Sequence, residues 1–105
     1  MNHDIFYTAK AWNDLEEIYE YIALQLQEPV IAQRMYNSIV SAIHSLDTFP
    51  LRYALFENEP WKSRGLRKLL VKKYLVFYTV DEVKKAVNII RIIYGGRDLD
   101  KQLTE

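Results

Sequence analysis

Apolar residues along this chain change their period partway through. Trp12, Leu15, Ile18, Tyr19, Ile22 and Leu26 recur at helical spacing, which predicts an amphipathic helix. Asn13, Asp14, Glu16, Glu17 and Glu20 fall on the face expected to be wet. Thr8 precedes the pattern and is placed to cap the helix, and His3–Tyr7 ahead of it reads as a short strand. Pro29 suits the first turn of a second helix, whose apolar stripe is Ala32, Met35, Tyr36, Ile39, Ile43 and Leu46. That helix is expected to stop near Asp47–Thr48, because Phe49 precedes Pro50 and the residue before a proline avoids the helical region. The link between the two helices is short, so they should form an antiparallel hairpin.

After a polar, aromatic-spotted connection over Leu51–Arg64, the pattern switches to strands: Leu66–Val71, Tyr74–Val80 and Val87–Tyr94. Lys72–Lys73 turns the first pair and Asp81–Ala86 the second, so the three should run as an antiparallel meander. Gly95–Gly96 ends the last strand, and Asp98–Thr104 is a candidate for a short terminal helix. The expected layout is β-α-α-β-β-β plus that C-terminal helix, an α+β fold in a single domain over residues 1–105. One sheet face must cover the helix hairpin, because neither layer can bury its apolar side alone. The other sheet face is expected to be at least partly open, and the basic residues of the hairpin should lie there or at the edges.

Composition narrows the chemistry. The chain has 105 residues, half of them apolar, enough for a core without covalent staples. It has no cysteine, which excludes disulfides and thiolate metal sites and fits a reducing compartment. No secretory signal pattern and no apolar run near the ~20 residues of a membrane span is visible, so a cytoplasmic protein without membrane contact is expected. The net charge of zero conceals an asymmetry. The balance is −6 over residues 1–61, +8 over 62–97 and −2 over 98–105. A basic block of this kind suits a phosphate backbone or an acidic protein segment; two oppositely charged faces that merely solvate the fold are the alternative.

The candidate functional residues lie in that block. Glycine occurs only at 65, 95 and 96, so there is no glycine-rich phosphate loop. His3 and His44 are far apart, His44 reads as a packed or surface residue, and no metal or cofactor is expected. Arg67 and Lys68 are adjacent on one strand and must face opposite sides. Arg91 interrupts VNIIRIIY, and a charge there is costly to bury unpaired. It either reaches the open face or pairs with a buried acid. Arg97, past the paired glycines, could reach back over the sheet end or pair with Asp98. Tyr74, Tyr78 and Tyr94 put aromatic faces near these cations, where they could stack on unpaired bases or serve as ordinary strand residues.

In order, AWNDLEEIYEYI, AQRMYNSI, LDTFP, LRKLLVKKYLVFYTVDE and NIIRIIYGGRD resemble the RelE/ParE toxin superfamily, over about residues 5 to 103. The resemblance implies the toxin half of a type II, plasmid-stabilisation-like toxin–antitoxin pair. It implies the same layout, and a cognate antitoxin protein whose segments often fold only on binding. RelE-like members are similar to metal-independent, ribosome-dependent ribonucleases that cut mRNA, with basic residues moving a proton and stabilising an anionic phosphorus centre. ParE-like members bind DNA gyrase and poison it without catalysing anything.

On the ribonuclease reading, which the concentration of cations on the sheet favours, Lys68, Arg91 and Arg97 are the catalytic candidates. Arg67, Lys72, Lys73, Tyr78 and Tyr94 are the substrate-binding candidates, with ribosome and mRNA as partners. The alternatives are a gyrase inhibitor and an inactive relative that only binds its antitoxin. The chain departs from the RelE-like pattern twice. Leu75 stands where those enzymes carry an arginine, and the tail DLDKQLTE has no tyrosine.

Overall fold

A computed structural model describes residues 2–104. Strand β1 (Asp4–Tyr7) leads into helix α1 (Ala9–Glu20), which continues as a wider π-helical turn over Tyr21–Gln25. Helix α2 (Pro29–His44) follows, and two short 3-10 turns, Ser45–Asp47 and Pro50–Arg52, begin the long connection. Then come β2 (Arg67–Val71), β3 (Tyr74–Asp81), β4 (Ala86–Tyr94) and a short helix α3 (Leu99–Thr104). The α+β layout read from the sequence is the one observed. Thr8 does cap α1: its Oγ1 accepts the Ala11 N–H at 3.1 Å and donates to the Ile90 carbonyl at 2.8 Å, tying the helix start to β4.

The sheet has the order β1-β4-β3-β2. The last three strands form the expected antiparallel meander. Strand β1 joins parallel to β4, pairing Asp4–Tyr7 with Ala86–Ile89. Since β1 ends there, the outer edge of β4 beyond Ile89 is left without a strand neighbour, and α1 lies along it. Lys72 turns the β2–β3 hairpin with φ 57°, in the left-handed region.

Two apolar clusters sandwich the sheet. The larger one joins Ala11 and Leu15 of α1, Ile39 and Ile43 of α2, Leu46, and the sheet residues Leu69, Val71, Val76, Tyr78, Val87, Ile89 and Ile92. The second lies on the opposite face: Phe56, Leu66, Phe77 and Ile93, with Trp61, Leu75, Ile90, Leu99 and Leu103 packed against them. The second face, expected to be at least partly open, is open only in part. The 53–66 connection and α3 cover most of it, because β3 and β4 are apolar on both sides. The face stays open near Leu70, which is 64% exposed.

A β-bulge decides which residues face which cluster. Tyr78 pairs with Ile89 but Phe77 pairs with Arg91, so Ile90 is an extra residue. An unbroken alternation would put Arg91 on the hairpin face with Val87 and Ile89. The inserted residue flips the parity, and Arg91 emerges on the second face beside Phe77 and Ile93.

Candidate functional site

The bulge sends the Arg91 side chain around the bare edge of β4 to α1. Its Nε donates to Asp14 Oδ2 at 2.7 Å and its Nη2 to Asp14 Oδ1 at 3.0 Å. The same Oδ2 accepts the Ile92 N–H at 2.9 Å, satisfying a backbone donor that no strand reaches. Arg91 Nη1 donates to the Gln102 carbonyl at 2.8 Å, which ties α3 to the same node. The side chains of Arg91 and Asp14 are only 14% and 11% exposed. Of the two fates open to Arg91, the buried acid is the one realised. Asp14 was expected on the wet face of α1 and lies instead on the inner stripe with Ala11 and Leu15. Its spacing from Ala11, three residues, carried that signal.

The other predicted residues separate into distinct environments. Arg67 points its guanidinium into the long connection, donating to the Tyr53 carbonyl at 2.6 Å and the Leu51 carbonyl at 3.3 Å. Lys68, on the opposite face, sits 3.3 Å from the Glu57 carboxylate and over the Phe56 ring. Glu57's carboxyl is held below its usual range by a hydrogen bond from its own backbone and then by Lys68. Tyr78 is fully buried and donates its hydroxyl to the Pro50 carbonyl at 2.6 Å. Burial pushes its phenol up to about 12, against the smaller opposing pull of Arg67 and Arg52. Tyr78 therefore anchors the connection from beneath and offers nothing to a substrate, a correction to the expectation that it faces one.

Lys72, Lys73, Tyr94 and Arg97 do come together, at the end of the sheet where β2 turns into β3. Lys72 and Lys73 are exposed. The Lys73 carbonyl accepts the Gly95 N–H at 2.8 Å, which seats the end of β4 on this turn. Tyr94 meets Tyr74 edge to face at 5.9 Å. A Cβ on Gly96 would lie 2.6 Å from the Tyr94 ring, so only glycine lets that ring lie where it does. Burial, then Tyr21 and Tyr94, raise the Tyr74 phenol, while Arg97 lowers it. Tyr21, from the π-turn of the helix hairpin, belongs to this end and was not foreseen. A groove lined by Ile31, Arg34, Met35 and Lys72 runs along α2 from the same turn. Leu75, at the position of the RelE-like arginine, packs into the second apolar cluster.

The chain belongs to the ParE toxin family of type II toxin–antitoxin systems, whose family model matches residues 5–99. Among solved structures it is similar to a chain of the chromosomal ParDE toxin–antitoxin system of P. aeruginosa. That match has 26% identity, a TM-score of 0.68, and covers 88% of this chain and 95% of that one. The fold also matches the RelBE2 toxin–antitoxin complex of Mycobacterium tuberculosis (20% identity, TM-score 0.67, covering 90% and 99%). A third match is the archaeal RelE–RelB complex of Pyrococcus horikoshii OT3 (14% identity, TM-score 0.64, covering 93% and 100%). No curated protein sequence matches the chain. The protein is thus the toxin of a type II toxin–antitoxin module, with an antitoxin as its partner.

Proposed function

We propose that this toxin arrests growth by binding rather than by cleaving RNA, with DNA gyrase as its target. The observation that carries this reading is the dispersal of the cations. Ribonucleolytic attack needs charges that converge on one phosphorus centre, since electrostatic stabilisation depends on donors aimed at a single point. Here Arg91 is bound to Asp14, Arg67 to the carbonyls of a loop, and Lys68 to Glu57. Arg97 lies beyond the Tyr74–Tyr94 pairing, whereas Lys68 pairs with Phe77. Three residues of strand separate those levels, about 10 Å. Leu75, packed against the second apolar cluster where RelE-like enzymes carry an arginine, and a tail without tyrosine also favour binding over cleavage.

A second reading, ribosome-dependent mRNA cleavage, is favoured by the one cluster that does form. Tyr21, Tyr74 and Tyr94 beside Arg97 could stack an unpaired base. Primer extension on mRNA from a cell-free translation reaction containing the purified protein separates the two. The binding reading predicts full-length mRNA and unchanged protein synthesis. New 5′ ends that appear only with ribosomes present would overturn it.

A further inference from the structure

The sheet has two edges, and they differ. At β2 the Lys68 N–H donates to the Ala54 carbonyl at 3.2 Å and Leu55 bridges Arg67, so the long connection covers part of that edge and cations flank it. At β1 only the inner side is occupied. The Asp4 N–H donates to the Lys85 carbonyl at 2.9 Å and the Thr8 N–H to the Ile89 carbonyl at 3.0 Å. Backbone groups of alternate residues point to the same side of a strand, so Asp4, Phe6 and Thr8 face β4 while Ile5 and Tyr7 face outwards. The His3 N–H, also on the outer side, is taken by the Asp47 carbonyl at 2.8 Å. The backbones of Ile5 and Tyr7 find no outward partner among the described residues.

An open edge is a template for another chain, and folds blunt such edges with lysine, proline or a bulge. The β1 sequence DIFY carries none of these. It carries Phe6 instead, 54% exposed and part of neither apolar cluster. Ile5 and Tyr7 pack on the hairpin cluster, so alternation turns Phe6 to the second face.

This edge is complementary to itself. Two copies of β1 laid antiparallel, with Phe6 on the two-fold axis, bring Ile5 of each copy opposite Tyr7 of the other. Each such pair exchanges two hydrogen bonds, which satisfies the outward groups of both residues. The two Phe6 residues then oppose one another at a non-hydrogen-bonded position, where side chains come closest and an aromatic pair favours pairing. Asp4 meets Thr8 of the other copy, so no like charges face each other across the axis. The β2 edge has the opposite character: Lys68 and the Lys72–Lys73 turn would repel a second copy and suit an acidic segment.

We propose that the antitoxin-free toxin pairs with a second copy of itself through β1, joining two four-stranded sheets into one. The proposal is independent of the toxin's target. The contact is small, so the dimer belongs to the weak, transient class.

The chain has no cysteine, so a single introduced thiol reports on the pairing. Phe6→Cys places two thiols on Cα atoms about 4.5 Å apart, within disulfide reach. Val83→Cys, at a position 95% exposed on the β3–β4 turn, reports random collision. Under mild oxidation Phe6→Cys should cross-link more than about tenfold faster than Val83→Cys, because a held pair meets at an effective concentration of about millimolar. In sedimentation the mass of the parent should rise with concentration from 12.5 kDa towards twice that value. Phe6→Lys sets like charges across the axis and should stay at the mass of one chain with the parent's melting temperature. Equal cross-linking rates, a parent that stays at one-chain mass at every concentration, or a folded Phe6→Lys that still dimerises would each overturn the proposal. Weaker antitoxin binding by Phe6→Lys in calorimetry, with a parent of one-chain mass, would assign the edge to the antitoxin and also overturn it. If Phe6→Lys fails to fold, the two cysteine variants decide.

Discussion

Replacing Asp14 with alanine removes three interactions at once. The Arg91 guanidinium loses two hydrogen-bonded contacts of 2.7 and 3.0 Å, and the Ile92 N–H loses its acceptor. Because both charged side chains are largely shielded from water, solvent cannot fully replace the lost partner. Breaking a buried pair from one side costs about 3–5 kcal/mol, a large share of the roughly 5–15 kcal/mol that holds a domain folded. Taking about 3 kcal/mol and a urea slope of about 1.5 kcal/mol/M, the unfolding midpoint should fall by about 2 M. Arg91→Met combined with Asp14→Asn leaves no charge and keeps an acceptor for the Ile92 N–H. That double variant should recover more than half of the loss. Urea unfolding followed by circular dichroism reads all of these. A loss below about 1 kcal/mol for Asp14→Ala, or a cycle in which the two changes simply add, would refute the ion-pair account. The double variant should also still arrest growth. A folded but inactive double variant would return Arg91 to the functional surface.

Tyr78→Phe should lower stability by about 1–2 kcal/mol, since it orphans the Pro50 carbonyl in a buried site; chemical denaturation checks this. The same residue shapes the alkaline limb. Its phenol is neutral when protonated, and folding raises its pKa from near 10 to about 12. Its stabilisation is therefore complete below pH about 10 and lost as pH rises through about 12. The slope of stability against pH in that window should be shallower in Tyr78→Phe than in the parent, and equal slopes would contradict the assignment. Leu75→Arg restores the arginine of RelE-like enzymes but inserts a charge against Ile93 in the second cluster. It should lower the melting temperature and create no ribosome-dependent cleavage in a primer-extension assay.

Much of this fold could be read from residue order. The stripe of Leu15, Ile18 and Ile22 and that of Ala32, Ile39 and Ile43 mark the helix hairpin without ambiguity, because amphipathic periodicity is set locally. Lys72–Lys73 between two apolar runs marks the β-hairpin in the same way. What stayed hidden depends on distant partners. Asp14 and Arg91 are joined across the whole chain, and only the bulge at Ile90 brings them to one edge. The cover of the second face comes from Phe56 and Trp61, which sit in an irregular connection with no period to expose them. Tyr78 looks like any half-exposed strand tyrosine until the connection folds over it.

The most direct test of the account is a supercoiling assay with purified gyrase, relaxed plasmid and ATP, titrated with the antitoxin-free toxin. A binding toxin directed at gyrase predicts a dose-dependent loss of supercoiled product that the antitoxin reverses. Full supercoiling at toxin in large molar excess over gyrase, from a protein that still arrests growth, would contradict it.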